Sequence, residues 1–164
     1  DGSQFGVNIR WTREDEGLET AGGIINALPL LGTEPFILVN GDVWTTFDFA
    51  ALLDVKLGEN LAHLVFVENP EQHPKGDFTL QNGRAYTFDQ EKQGENLTFS
   101  GISIIDPKMF EDLEQGKRPL APLLKQGMLD GKISAEKMST AWVDVGTPER
   151  LTALDLQIRQ GVYA

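Results

Sequence analysis

Two aspartates in matching settings carry the strongest chemical signal in this chain. Asp42 closes the run Phe-Ile-Leu-Val-Asn-Gly-Asp at 36–42, and Asp144 stands inside Ala-Trp-Val-Asp-Val-Gly-Thr-Pro at 141–148. Each ends or interrupts a short apolar run near a glycine. Such runs in α/β proteins are buried strands, and ligands bind outside their carboxyl ends. Two carboxylates brought there from distant chain positions suit one shared Mg²⁺. That ion takes one or two protein carboxylates and fills its other positions with phosphate oxygens and water. Taken singly, each aspartate also has a plainer reading as a turn or cap residue.

Three further segments offer contacts to a ligand. Leu18-Glu19-Thr20-Ala21-Gly22-Gly23 puts small residues at a helix start. There, a ligand can approach exposed backbone N–H groups, or the helix can pack closely on a sheet. Lys75-Gly76-Asp77-Phe78 follows the turn segment Asn69-Pro70. It is either a loop whose Gly76 N–H meets a sugar or base, or an ordinary hairpin entry. Thr98-Phe99-Ser100-Gly101 lines a sugar pocket or belongs to a core strand. His63 lies inside an apolar run and reads as a core or boundary residue, whereas His73 precedes a proline and reads as solvated. Two histidines and no cysteine make a zinc site a poor fit. Trp11, Trp44 and Trp142 read as packing residues.

The elements that must position these groups alternate between strand and helix patterns, which points to an α/β fold. Strands are expected at 7–11, 36–39, 61–67, 97–105, 132–138 and 141–145. Ile24, Ile25 and Leu28 give a helical face with Thr20 as N-cap, and Phe49, Leu52 and Leu53 another. Phe78 and Leu80, then Asn82-Gly83, then Tyr86 and Phe88 predict a hairpin with a type I′ turn. Asp106-Pro107 opens a helix through Leu113 that stops at Gly116. Leu120 to Met128 forms a further helix. Thr147-Pro148 opens the last, with Leu151, Leu154 and Ile158 on one face. Its capping box is incomplete, because Arg150 stands where Glu or Gln would be. The expected architecture is an open, mostly parallel sheet with helices on both faces and a hairpin near one edge.

Composition narrows the function classes. The 164 residues make one domain or a large part of one, and 40% hydrophobic content is enough for a core. A net charge of −11 argues against nucleic-acid backbones and anionic membranes as partners. It leaves a polyphosphate substrate open, because a metal ion and a few donors can reverse the field inside one cleft. The sequence has no cysteine and no long apolar stretch, which fits a cytoplasmic protein.

These segments together resemble the sugar-1-phosphate nucleotidyltransferases, also called sugar-nucleotide pyrophosphorylases. Leu18 to Gly23 resembles the family's Leu-Gly-Thr-Ala-Gly base-binding segment. Val39-Asn40-Gly41-Asp42 resembles its Gly-Asp metal motif, and Trp142 to Pro148 its second metal motif. Lys75 to Phe78 and Phe99-Ser100-Gly101-Ile102 occupy the places of its sugar-contact loops. Asn-Gly-Asp-Val-Trp-Thr, Gly-Asp-Phe and Leu-Thr-Phe-Ser-Gly-Ile resemble in particular the bacterial N-acetylmuramate 1-phosphate uridylyltransferase branch, which serves peptidoglycan recycling. The resemblance covers essentially the whole chain.

What the resemblance implies is concrete. The fold is a Rossmann-like, GT-A-like sheet, mixed and mostly parallel. Asp42 and Asp144 are the catalytic residues and the Mg²⁺ ligands. Glu19, Thr20, Ala21 and Gly22 place the base. Asn40, Gly76, Ser100 and Gly101 complete the substrate contacts. The substrates are a nucleoside triphosphate, expected to be UTP, and a sugar 1-phosphate, expected to be N-acetylmuramate 1-phosphate. Pyrophosphate is the leaving group. The chain departs from the family where Glu19 replaces a common glycine and Phe99 a common asparagine. It also has no first strand with a loop of the form Leu-Ala-Ala-Gly-x-Gly-x-Arg, so residues 1–164 read as one N-terminally incomplete domain. That loop would hold the β- and γ-phosphates. Losing one charge-stabilising donor typically costs ~10²–10³ in rate, so the chain alone is expected to be inactive or nearly so. Two alternatives stand beside this expectation. One is a mannose-1-phosphate guanylyltransferase-like enzyme. The other is a non-catalytic remnant that binds nucleotide or a partner, self-associating through an exposed sheet edge.

Overall fold

The computed structural model describes residues 2–163. Its strands are β1 (Phe36–Val39), β2 (Val43–Thr45), β3 (Ala62–Val67), β4 (Phe78–Gln81), β5 (Arg84–Tyr86), β6 (Glu95–Ile105), β7 (Ile133–Lys137) and β8 (Trp142–Asp144). The helices are α1 (Glu19–Leu31), α2 (Ala121–Leu129) and α3 (Pro148–Arg159). Six strands form one sheet in the order β1-β6-β3-β7-β5-β4, and β2 and β8 form a separate ribbon.

The centre of the sheet is β3. All six of its residues, Ala-His-Leu-Val-Phe-Val, are buried, as a run covered on both faces requires. Alternate residues serve opposite layers. Leu64 and Phe66 join α1 and α2 through Ile24, Ile25, Leu124 and Met128. Val65 and Val67 join Leu52, Ile102, Ile104 and Met138 on the other face. That second face is closed by a 3₁₀ segment, Phe49–Asp54, and by the β2–β8 ribbon rather than by a long helix.

The α/β expectation holds, with corrections to strand direction and to three elements. The sheet is mixed, but its pairings are mainly antiparallel: only β3–β7 is parallel among the described ladders. β6 runs against both β1 and β3 and separates them. A sequence read strand by strand shows apolar runs, not their directions. Residues 7–11 form no strand, and Trp11 is exposed. Thr20 lies inside α1 rather than capping it. The helix expected from Asp106 to Gly116 is only a 3₁₀ turn, Pro107–Phe110, capped by Asp106 through Lys108 N–H.

The hairpin and the last helix start form for the expected reasons. Asn82 (φ 51°) and Gly83 (φ 73°) both take the left-handed conformation that a type I′ turn needs. Thr147 caps α3 by accepting from Arg150 N–H. Of the face expected on α3, only Leu154 is buried; Leu151 and Ile158 are exposed. At the rim of the sheet, Lys137 pairs with Glu68 and Glu95, tying the ends of β7, β3 and β6 together. Its hydrogen bonds to Glu68 and then Glu95 raise its pKa above the usual lysine value.

Candidate functional site

The β2–β8 ribbon brings the two aspartates together. Val43 stands opposite Asp144 in the ladder, and Val145 N–H donates to Asp42 C=O at 2.8 Å. Asp42 is therefore one step along the ribbon from Asp144, although 102 positions separate them in sequence. The ribbon is fixed to the sheet by Trp142, whose Nε1 donates to Ser100 C=O at 2.9 Å. Thr45 Oγ1 closes its other end on Ala141 C=O.

Gly146 completes the geometry. A Cβ at Gly146 would lie 3.0 Å from Asp144 Oδ1, 3.1 Å from Asp42 Oδ2 and 3.1 Å from Arg150 Nη2. The absent side chain leaves one point on which two carboxylates and a guanidinium converge. Gly146 N–H donates to Asp144 Oδ1 at 2.8 Å, and Arg150 Nη2 lies 3.2 Å from the same oxygen. Arg150 Nε is buried with no hydrogen-bond partner. The two carboxylates suit a Mg²⁺ ion on their cavity side, away from the cationic guanidinium. Among the described residues no cluster of three or more His, Cys, Asp or Glu is present to form an all-protein cage. Mg²⁺ needs none, since it keeps waters and substrate phosphates in most of its positions.

A cavity of about 300 Å³ opens beside the pair. Its wall includes Asn40, Asp42, Asp144, Trp142, Ser100 and Gly101. A β-bulge shapes that wall: Val65 pairs with Ile102 and Phe66 with Phe99, leaving Ser100 and Gly101 as the extra residues of β6. Bulges re-aim side chains in this way. Gly101 has φ 79°, its C=O accepts from Asn40 N–H at 2.9 Å, and a Cβ there would strike the Asn40 side chain.

The sequence-identified residues fall into three groups. Asp42, Asp144, Asn40, Ser100 and Gly101 share this cavity. The Ser100 hydroxyl, however, is occupied within the fold: it donates to Val65 C=O and accepts from Ile102 N–H. Glu19 and Thr20 line a second cavity, of about 440 Å³, between α1 and β1. The two cavities meet the same strand end, one at Val39 and the other at Asn40. Ala21 is fully buried, and Gly22 packs against Gly116 and donates its N–H to Arg118 C=O, so their smallness serves helix packing. Gly76 is outside both groups. It is buried, its N–H donates to His73 C=O, and a Cβ would lie 2.6 Å from Asn69 Oδ1 and from Leu97 O.

Sequence reasoning missed three residues at the site. His73, read as solvated, lines the cavity and bonds Asp77 Oδ1 through Nε2 at 3.0 Å. Asp77 lines it too, with Oδ2 accepting from Phe99 N–H at 2.9 Å. Arg150 reaches Asp144 from the first turn of α3. Its signal was visible: it is the residue that breaks the capping box. The His73–Asp77 spacing of four carries a weaker signal, because no helix joins them.

Comparison with known proteins identifies the family. The profile of the nucleotidyl transferase family matches residues 1–161. An N-acetylmuramate alpha-1-phosphate uridylyltransferase of Neisseria meningitidis serogroup B is 47% identical over 156 residues, covering 92% of this chain and 67% of that protein. One from Caulobacter vibrioides is 28% identical, covering 88% of this chain and 63% of that protein. A mannose-1-phosphate guanylyltransferase catalytic subunit beta of Dictyostelium discoideum is more distant, at 26% identity over 89% of this chain and 43% of the relative. The chain thus spans about two thirds of the first two relatives. Among solved structures, a Bacillus anthracis protein in complex with a sucrose matches with a TM-score of 0.78 at 18% identity, covering 96% of this chain and 68% of that one. HddC from Yersinia pseudotuberculosis complexed with GMP-PN matches at 0.65 and 22% identity, covering 88% of this chain and 64% of that one. At such identities the likeness shows the fold.

Proposed function

We propose that the reaction served by this chain, which belongs to the nucleotidyl transferase family, is transfer of a uridylyl group from UTP to N-acetylmuramate 1-phosphate with release of pyrophosphate, a step of peptidoglycan sugar recycling. The observation that carries the reading is the convergence of Asp42 Oδ2 and Asp144 Oδ1 on the space above Gly146, at the mouth of a cavity of sugar-phosphate size. The 47% identity to the Neisseria uridylyltransferase favours this sugar and base over mannose 1-phosphate and GTP.

An oxygen of the sugar phosphate forms the new bond to the α-phosphorus, and the bond from that phosphorus to the bridging oxygen of pyrophosphate breaks. The bonding pair leaves with pyrophosphate. The attacking oxygen is already an anion, so the chain needs no general base; its residues position and neutralise. Asp42 and Asp144 would hold Mg²⁺, which when bound supplies charge neutralisation to the phosphates. Arg150 holds Asp144 from one side. Asn40 and the Ser100–Gly101 bulge wall the sugar side, and the α1 start offers Glu19 and Thr20 to the nucleotide side. UTP is a cytoplasmic substrate, and no described helix is long and apolar enough to cross a membrane.

The test is Mg²⁺-dependent binding and turnover with UTP plus N-acetylmuramate 1-phosphate against GTP plus mannose 1-phosphate. The first pair is expected to bind more tightly, and Asp42→Ala to abolish the Mg²⁺ dependence. Preference for the second pair, or Mg²⁺ dependence that survives Asp42→Ala, overturns the reading. Turnover by the 164 residues alone is expected to be nearly nil, because their sequence holds no glycine-rich basic loop for the β- and γ-phosphates.

A second reading, as a partner-binding domain, is favoured by the open edge of β1. Among the described ladders β1 pairs only with β6, and Val39 is 41% exposed. A dimer in sedimentation, lost on Ile37→Pro, would support it.

A further inference from the structure

The wall of the aspartate cavity is acidic. Asp42, Asp77 and Asp144 all line it, in a chain of net charge −11. Among the described lining residues, His73 alone has a side chain able to carry positive charge. It is held in place from several directions. Its N–H donates to Pro70 C=O and its C=O accepts from Gly76 N–H. Asn69 clasps the same loop, donating to Pro74 C=O and Asn96 C=O while accepting from Thr98 Oγ1. Gly76, at φ 70°, lets the loop sit directly on β6. Asp77 then fixes the ring: Oδ1 takes His73 Nε2, and Oδ2 is held by Phe99 N–H. Both oxygens of Asp77 are therefore engaged, and among the described residues none bonds Nδ1 of His73.

We propose that His73, oriented by Asp77, is the specificity-determining residue that selects a sugar 1-phosphate bearing a second, non-phosphate anionic group, and that the group it meets is the lactyl carboxylate of N-acetylmuramate. The inference rests on the substrate reading above. N-acetylmuramate differs from N-acetylglucosamine by that carboxylate, carried on an ether at the sugar ring. A carboxylate in a cavity already lined by three aspartates needs a cationic donor. Asp77 can only accept, so Nε2 donates to it, and an imidazolium held this way has Nδ1–H left to donate to a carboxylate. Asp77 positions the ring, and the same arrangement leaves sugars without the carboxylate with no partner for it.

The experiment is calorimetric titration of the chain, with UTP and Mg²⁺ present, by N-acetylmuramate 1-phosphate and by N-acetylglucosamine 1-phosphate. It is repeated for His73→Gln and Asp77→Asn. A charge-assisted hydrogen bond corresponds to a roughly tenfold or greater preference. The wild-type chain is expected to prefer the muramate sugar by that factor. His73→Gln is expected to erase the preference, with affinity for N-acetylmuramate 1-phosphate falling at least about tenfold further than affinity for N-acetylglucosamine 1-phosphate. Asp77→Asn is expected to reduce the preference in part. A preference that survives His73→Gln overturns the inference and leaves the substrate reading standing. Equal loss for both sugars in His73→Gln makes the residue structural and also overturns it. A wild-type chain with no preference between the sugars overturns the substrate reading itself, and this inference with it.

Discussion

The centre of the sheet and the β2–β8 ribbon are built on opposite principles. Every residue of β3 is buried, and its alternate side chains anchor two core layers. No residue of β2 or β8 is fully buried, each strand is three residues long, and Asp42 lies exposed beyond the first of them. Yet the ribbon carries both candidate metal ligands. The core supplies stability through apolar area, which leaves no room for solvated carboxylates. The ribbon gives up that area and holds its aspartates by backbone register, one indole hydrogen bond and a glycine. Stability and chemistry are thus assigned to different pieces of the molecule, and they should respond to different mutations.

The sharpest test of that division is a large-to-small change in β3. Phe66 is fully buried and stacks on Phe78 with ring centroids 6.1 Å apart. Phe66→Ala is expected to cost about 3–5 kcal/mol of unfolding free energy in denaturant titration. Mn²⁺ affinity per folded molecule should not change. If metal affinity falls in step with stability, the two regions are one cooperative device and the division fails.

The reverse experiment is smaller in energy. Gly146→Ala puts a methyl group 3.0–3.1 Å from Asp144 Oδ1, Asp42 Oδ2 and Arg150 Nη2, closer than a Cβ normally sits, so those groups must shift. Displacements well under 1 Å at a reacting centre are expected to weaken metal-dependent binding about tenfold. Because the site is exposed, the melting temperature should stay nearly constant. A large drop in melting temperature would show that the ribbon turn is part of the fold's support.

The smallest effect belongs to the sheet rim. The pKa of Lys137 is raised by Glu68 and Glu95, so its folded value exceeds its unfolded one. Its contribution is therefore full below the ordinary lysine value of about 10.4 and is lost as pH rises through the raised folded value. Lys137→Met should lower the melting temperature slightly at neutral pH, and the gap from wild type should close at strongly alkaline pH. A gap that persists there would assign the effect to packing of the lysine stem instead.

Much of this division was legible in the sequence. The apolar run 61–67 read as a strand, Asn82-Gly83 suited a tight primed turn, and Thr147-Pro148 marked the start of α3. Asp42 and Asp144 stood out by their neighbours. Other features were not legible. The two-residue bulge at Ser100–Gly101 depends on register against β3. The antiparallel course of β6 depends on which strands it joins. His73 looked solvated because its partner, Asp77, is reached through a loop rather than along a helix. Gly76 looked like a ligand contact because positive φ in a loop has the same sequence signature whether it serves packing or binding.

The sequence by itself determined the local periods, the turn chemistry, the acidic balance and the pair of aspartates, because each depends on residues close along the chain. Only the tertiary structure decided that the aspartates meet over Gly146, that Arg150 joins them and that His73 faces the same cavity. Those facts depend on strand register and on contacts between residues far apart in sequence, and no local preference encodes them.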